Sequence, residues 1–124
     1  MAKLIGVYKA KGGAFALFMA AFRRWFGLYS CDLSRITHHA GGEKPAWRDL
    51  RTRLASDEGH THTCVFPQTA TTAYAQASAG REPCVLIEDE DGRLSMILDW
   101  NDLALAKGDV ARYEQILRSK LLMY

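Results

Sequence analysis

Two apolar runs joined by a turn constrain this chain more than any other feature. Cys84 to Glu88 (CVLIE) and Arg93 to Leu98 (RLSMIL) flank Glu90-Asp91-Gly92. Asp-Gly is a favoured hairpin pair, so the two runs read as antiparallel neighbours. Leu4-Ile5-Gly6-Val7-Tyr8 and His62 to Phe66, the latter closed by Pro67, read as two further strands. Residues 9–61 lie between these two and are dominated by helical patterns. A crossover of that length favours parallel pairing. Leu4 to Tyr8 should therefore be central, alongside the strand that holds Val65.

The segments between the strands are helical by spacing. Phe15, Phe18, Met19, Phe22 and Phe26 recur at helical intervals over Ala14 to Phe26, and Gly27 is a plausible stop. Tyr29 to His39 is irregular, with a helical turn starting at Ser30 or Asp32 and an end at Gly41-Gly42. Pro45 suits a first helical position, and Trp47, Leu50 and Leu54 form the apolar stripe that follows it. Ala70 to Ala79 reads as a weak helix stopped by Gly80. Asp99 can cap a short helix through Leu105. Asp109 can cap the last one, with Val110, Tyr113, Ile116, Leu117, Leu121 and Met123 on its core side. The expectation is a single α/β domain over residues 1–124, with a central four-stranded mixed sheet flanked by helices.

Composition narrows the class. With 48% hydrophobic and 24% charged residues the chain is ordinary globular material. Ala14 to Phe22 carries no charge, but nine residues are too few to cross a bilayer, and Arg23-Arg24 close the run. No small-residue cleavage site follows before Cys31, which argues against export. Three cysteines, Cys31, Cys64 and Cys84, make no disulfide framework. Reduced thiols in the cytoplasm are the simpler reading. Residues 1–56 hold ten Lys/Arg against three Asp/Glu, and residues 57–124 hold six against eleven. The simplest outcome is that the halves neutralise each other in the fold. Arg48, Arg51 and Arg53, with Arg23, Arg24 and Lys44, lack any nucleic-acid recognition motif around them. Neither a membrane nor a nucleic acid is expected as a partner.

Two local patterns carry a family resemblance. Gly80-Arg81-Glu82-Pro83-Cys84-Val85-Leu86-Ile87, followed by Asp91-Gly92, resembles the stretch in which thioredoxins place a cis proline before a hairpin. Together with the element order, it makes the chain similar to the thioredoxin-like fold. The resemblance implies a cis Pro83 facing a ligand or the active-site loop, at the same sheet end as Gly12 and Gly13. Cys31-Asp32-Leu33-Ser34 with Ile36-Thr37-His38 resembles a group of bacterial proteins that carry C-x-x-C and then I-T-H, and more distantly the DCC-type thiol-disulfide oxidoreductases. The departures are equally informative. Thioredoxin-like enzymes carry their C-x-x-C directly after the first strand, where this chain has Lys11-Gly12-Gly13-Ala14. Cys31 comes only after a helix roughly 20 Å long at 1.5 Å per residue, so it need not lie near Pro83. Ser34 stands in the second cysteine's place, which excludes a dithiol cycle inside this motif.

Four constellations could carry chemistry. Cys31, assisted by Arg35 or His38, could act as a single nucleophile, so Cys31, Ser34 and His38 are the candidate catalytic residues. Cys31 could also pair with Cys84 or Cys64 if the fold brings two thiols together. His60, His62 and Cys64 alternate, so on a strand they would share a face and, with His38 or His39, offer a soft set for zinc or copper. The backbone of Gly12 and Gly13, beside Lys9 and Lys11, could hold an anion, although no full phosphate-loop pattern is present. The leading expectation is a thioredoxin-like binding module that needs no cofactor. Gly12, Gly13 and Pro83 would line its ligand site, a small molecule or a protein would be its partner, and Cys31 would have a single-thiol role. The alternatives are an oxidoreductase using Cys31 with Cys84 or Cys64, and a metal-binding module built on His60, His62 and Cys64.

Overall fold

The structure is a computed structural model that describes residues 2–9, 31–39, 42–66 and 70–124. The expected helix from Ala14 to Phe26 and the Gly12-Gly13 turn lie outside the described residues. Strand β1 spans Lys3–Val7, and the next element among the described residues is helix α1, Asp32–Thr37. Two short strands, β2 (His38–His39) and β3 (Gly42–Glu43), lead into helix α2, Pro45–Glu58. Strand β4 (Thr61–Val65), helix α3 (Thr72–Ser78), strands β5 (Cys84–Glu88) and β6 (Leu94–Leu98), and helices α4 (Trp100–Ala106) and α5 (Val110–Met123) complete the order. No helix among the described residues is long and apolar enough to cross a membrane.

The main sheet is mixed, in the order β4-β1-β5-β6. β1 is central. It runs parallel to β4, with Gly6 opposite Cys64, and antiparallel to β5, with Val7 opposite Cys84. β5 and β6 are antiparallel, with a register shift between Val85 and Leu86. β2 and β3 form a separate two-stranded ribbon, where the sequence suggests only an end at Gly41-Gly42. The hairpin turn starts at Asp89, whose carbonyl accepts from the Gly92 backbone N–H at 3.0 Å. The Asp89 carboxylate accepts from the backbone N–H of both Asp91 and Arg93, at 2.9 Å each. Gly92 closes the turn at φ 82°, in the left-handed region that suits glycine.

Strand alternation divides the core in two. Leu4 and Tyr8 face one side, with Leu33 and Ile36 of α1, Trp47, Leu50 and Leu54 of α2, and Tyr113 and Leu117 of α5. Ile5 and Val7 face the other, with Cys84 and Leu86 of β5, and Tyr74 and Ala77 of α3 pack against them. The apolar stripe read from α2 is therefore the buried one. In α5, Val110, Tyr113 and Leu117 are buried and Ile116 packs at the margin. Gly6 is needed because of its neighbours. A Cβ there would lie 3.0 Å from both Cys64 Sγ and Leu33 Cδ2, so glycine lets α1 and β4 close onto β1. One ion pair joins the basic first half to the acidic second, Arg53 with Glu114 at 2.7 Å, while Arg118 pairs with Glu58 and Glu114 within the second half.

Candidate functional site

The C-terminal ends of β1 and β4 meet where the Tyr8 backbone N–H donates to the Val65 carbonyl at 3.0 Å. The Tyr8 side chain turns toward α1, and its hydroxyl hydrogen-bonds Thr37 Oγ1 at 2.9 Å. Thr37 Oγ1 in turn lies 2.6 Å from His38 Nδ1. The Tyr8 ring meets the His38 ring edge-on at 6.4 Å and rests against Phe66 at 5.0 Å. Tyr8 and Thr37 are buried, whereas His38 is half-buried. A continuous run of polar atoms thus leads from the sheet to the β2–β3 ribbon.

Burial pushes the Cys64 thiol up to about 12, opposed by the charge of Arg51. Burial, reinforced by Cys64, holds the Tyr8 phenol well above its ordinary value. Burial pulls the His38 imidazole down, helped by Arg51 and His39 and opposed by Glu43. Cys31 and Cys64 are both half-buried and pack against the same apolar cluster.

The other candidates take different places. Ser34 is fully buried and serves the cap of α1. The Cys31 backbone N–H donates to Ser34 Oγ at 2.7 Å, and Ser34 Oγ donates back to the Cys31 carbonyl at 2.9 Å. Its hydroxyl is occupied by this structural duty. Cys84 is buried on the opposite sheet face, among Ile5, Val7 and Leu86, so the sheet itself separates it from Cys31. Burial there also pushes its thiol up to about 12. Of the two partners considered for Cys31, Cys64 packs against the same apolar cluster as Cys31 and Cys84 belongs to the other. Pro83 is buried, follows a cis peptide bond and immediately precedes Cys84, which pairs with Val7 of β1. Gly12 and Gly13 lie outside the described residues.

The alternating histidines separate for a simple reason. His62 and Cys64 do share a face, both lying over Gly6. His60, however, precedes β4, and its Nδ1 accepts from the Ala2 backbone N–H at 3.2 Å. His62 is fully enclosed, with Nε2 2.6 Å from the Tyr113 hydroxyl and the ring edge-on to Trp47 at 4.8 Å. Burial lowers it to about 4, so the imidazole is neutral at ordinary pH. Among the described residues, no three His, Cys, Asp or Glu side chains are grouped so as to hold a metal ion. Cys64 stands opposite Gly6 through the β1–β4 register, a placement that depends on how the two strands pair. Comparisons of the chain with protein families, with curated proteins and with solved structures found no match.

Proposed function

We propose that this chain is a thioredoxin-like thiol–disulfide exchange protein in which Cys31 attacks and Cys64 resolves. The observation that carries the reading is that Cys31 and Cys64 both pack against one apolar cluster, whereas Cys84 lies in the cluster on the other sheet face. The mixed sheet with central β1, and the cis proline leading into β5, support a thioredoxin-like scaffold. A reducing cytoplasm would suit three free cysteines.

The chemistry balances with a disulfide substrate alone. The Cys31 thiolate attacks one sulfur of the substrate, forming a mixed disulfide and expelling one thiolate. Cys64 then attacks the Cys31 sulfur, forming the Cys31–Cys64 disulfide and expelling the second thiolate. Substrate is reduced by two electrons and the protein is oxidised by two. Ser34 takes no part, because its hydroxyl is held in the cap.

A second reading has its own support. With its thiol near 12, Cys64 stays protonated at neutral pH. If it never attacks, the protein is a ligand- or partner-binding module with one working thiol, Cys31. Intact mass after exposure to glutathione disulfide separates the two. Exchange predicts loss of two hydrogens and no adduct, with both glutathiones released. The single-thiol module predicts one stable glutathione on Cys31. Modification of Cys84 with Cys31 untouched would overturn both.

A further inference from the structure

Strand β4 is an edge of the main sheet among the described residues. Its Thr61 N–H donates to the Ala2 carbonyl at 3.2 Å, and its Val65 carbonyl accepts from the Tyr8 N–H at 3.0 Å. Alternate residues of a strand bond the same neighbour. Thr61, Thr63 and Val65 therefore turn their backbone groups to β1, and His62 turns its N–H and C=O outward. The His62 ring is enclosed by Trp47 and Tyr113, which leaves its main chain to face the edge. Beside this edge runs a groove of about 550 Å³, lined by Thr61 and His62 of β4 and by Arg51, Thr52, Ala55 and Ser56 of α2. No Asp or Glu is among the residues that line it.

Arg51 carries the charge of this groove and has donors to spare. Its Nη2 serves both Glu43 oxygens at 2.8 Å. Its Nε is buried and, alone among the buried side-chain nitrogens and oxygens of the described residues, has no hydrogen-bond partner. Buried donors are normally paired, yet Glu43 engages a single guanidinium nitrogen. The neighbouring hydroxyls are already committed. Thr52 donates to the Arg48 carbonyl at 3.0 Å, and Ser56 donates to the Thr52 carbonyl at 2.9 Å. The uncommitted donors of the α2 wall thus belong to Arg51.

We propose that this groove docks an extended acidic peptide, which adds beside β4 at His62 and places a carboxylate on Arg51. The proposal does not depend on the thiol chemistry. One residue of the peptide exchanges both backbone hydrogen bonds with His62, as directly opposed residues of antiparallel strands do. Opposed residues share a sheet face, and the His62 face is the one on which Trp47, Leu50 and Leu54 of α2 pack. The side chain opposite His62 therefore projects toward α2, where a Glu carboxylate meets Arg51 Nη1. Glu43 can then slide one oxygen from Nη2 to Nε, on the same edge of the guanidinium, and the buried donor gains its partner. Charge selects the occupant. An arginine with uncommitted donors, in a groove lined by no carboxylate, favours an acidic side chain over a neutral or basic one.

The test is an NMR titration of the full, nitrogen-15-labelled chain with acetyl-Val-Glu-Val-amide, acetyl-Val-Gln-Val-amide and acetate. The Glu peptide should give saturable shifts of the His62 amide and the Arg51 Nε–H, and should slow exchange of the His62 amide with solvent. The Gln peptide should bind roughly tenfold more weakly, for want of a charge-assisted hydrogen bond. Acetate, which has no backbone to pair, should leave the His62 amide unmoved. Ala55→Phe, at an exposed position of α2, should fill the groove and abolish binding. Arg51→Gln should erase the preference for Glu over Gln. Arg53→Gln should keep it, because the Arg53 side chain pairs with Glu114 and does not line the groove. Any one of four results overturns the proposal: no saturable shift at His62, equal wild-type affinity for the two peptides, an acetate shift that matches that of the Glu peptide, or undiminished binding in Ala55→Phe.

Discussion

Acid should weaken this fold through His62. The imidazole is enclosed by Trp47, Tyr113 and β4, and burial lowers its proton affinity to about 4. In the unfolded chain it reverts to an ordinary value near 6.5. Between these two values the unfolded state binds a proton that the folded state refuses. Stability therefore falls as pH drops from 6.5 toward 4, and the loss is complete below 4. At about 1.4 kcal/mol per pH unit, the full penalty is about 3 kcal/mol, a large share of a typical margin of 5–15 kcal/mol. His38 adds a loss of the same sign, since it too is lowered, so the wild-type curve alone does not isolate His62. Urea denaturation of the wild type and His62→Gln from pH 7.5 to 4 does. Glutamine can still accept from the Tyr113 hydroxyl but does not titrate. The variant should start lower at pH 7.5, by about 1–2 kcal/mol as for an imperfectly met buried polar group. The gap should then shrink or invert on acidification. Parallel curves for the two proteins would refute the burial argument.

Two further substitutions probe the frame of the site. Gly6→Ala should destabilise by about 1–3 kcal/mol, because the added Cβ meets Cys64 Sγ and Leu33 Cδ2 at 3.0 Å; denaturation midpoints report it. Ser34→Ala should cost about 0.5–2 kcal/mol through the lost cap and leave the rate of the first thiolate release unchanged, measured side by side with the wild type.

Much of the topology is legible in the residues because it follows from local rules. Asp91-Gly92 between two apolar runs marks the hairpin, the long crossover puts Leu4 to Tyr8 parallel to the strand holding Val65, and the Trp47, Leu50, Leu54 spacing marks the buried stripe of α2. The cis bond before Pro83 is legible only through resemblance, since nothing in the dipeptide Glu82-Pro83 demands it. The site is harder to read. Cys31 stands out as a cysteine at the start of a helical turn, but Tyr8 looks like an ordinary strand residue. It meets Thr37 because β1 and α1 pack together, across 29 positions in sequence. Ser34 reads as a missing second thiol, and its actual employment in the cap depends on where α1 begins. His62 and Cys64 share a face as strand alternation requires, yet His62 turns to Tyr113, 51 positions away, which no local pattern discloses.

Peptide mapping of the oxidised protein tests the Cys31–Cys64 pairing most directly. Trypsin separates the three cysteines, because cleavage after Arg24, Arg35, Arg53, Arg81 and Arg93 leaves each on its own peptide. After mild oxidation, quenching with an alkylating agent and digestion without reductant, the peptides of Cys31 and Cys64 should be recovered as one disulfide-linked species. Cys84, on the opposite sheet face, should be recovered as a reduced peptide alkylated only after denaturation. Recovery of Cys31 linked to Cys84, or of all three cysteines as free thiols under conditions that oxidise a solvent-exposed dithiol, would contradict the account.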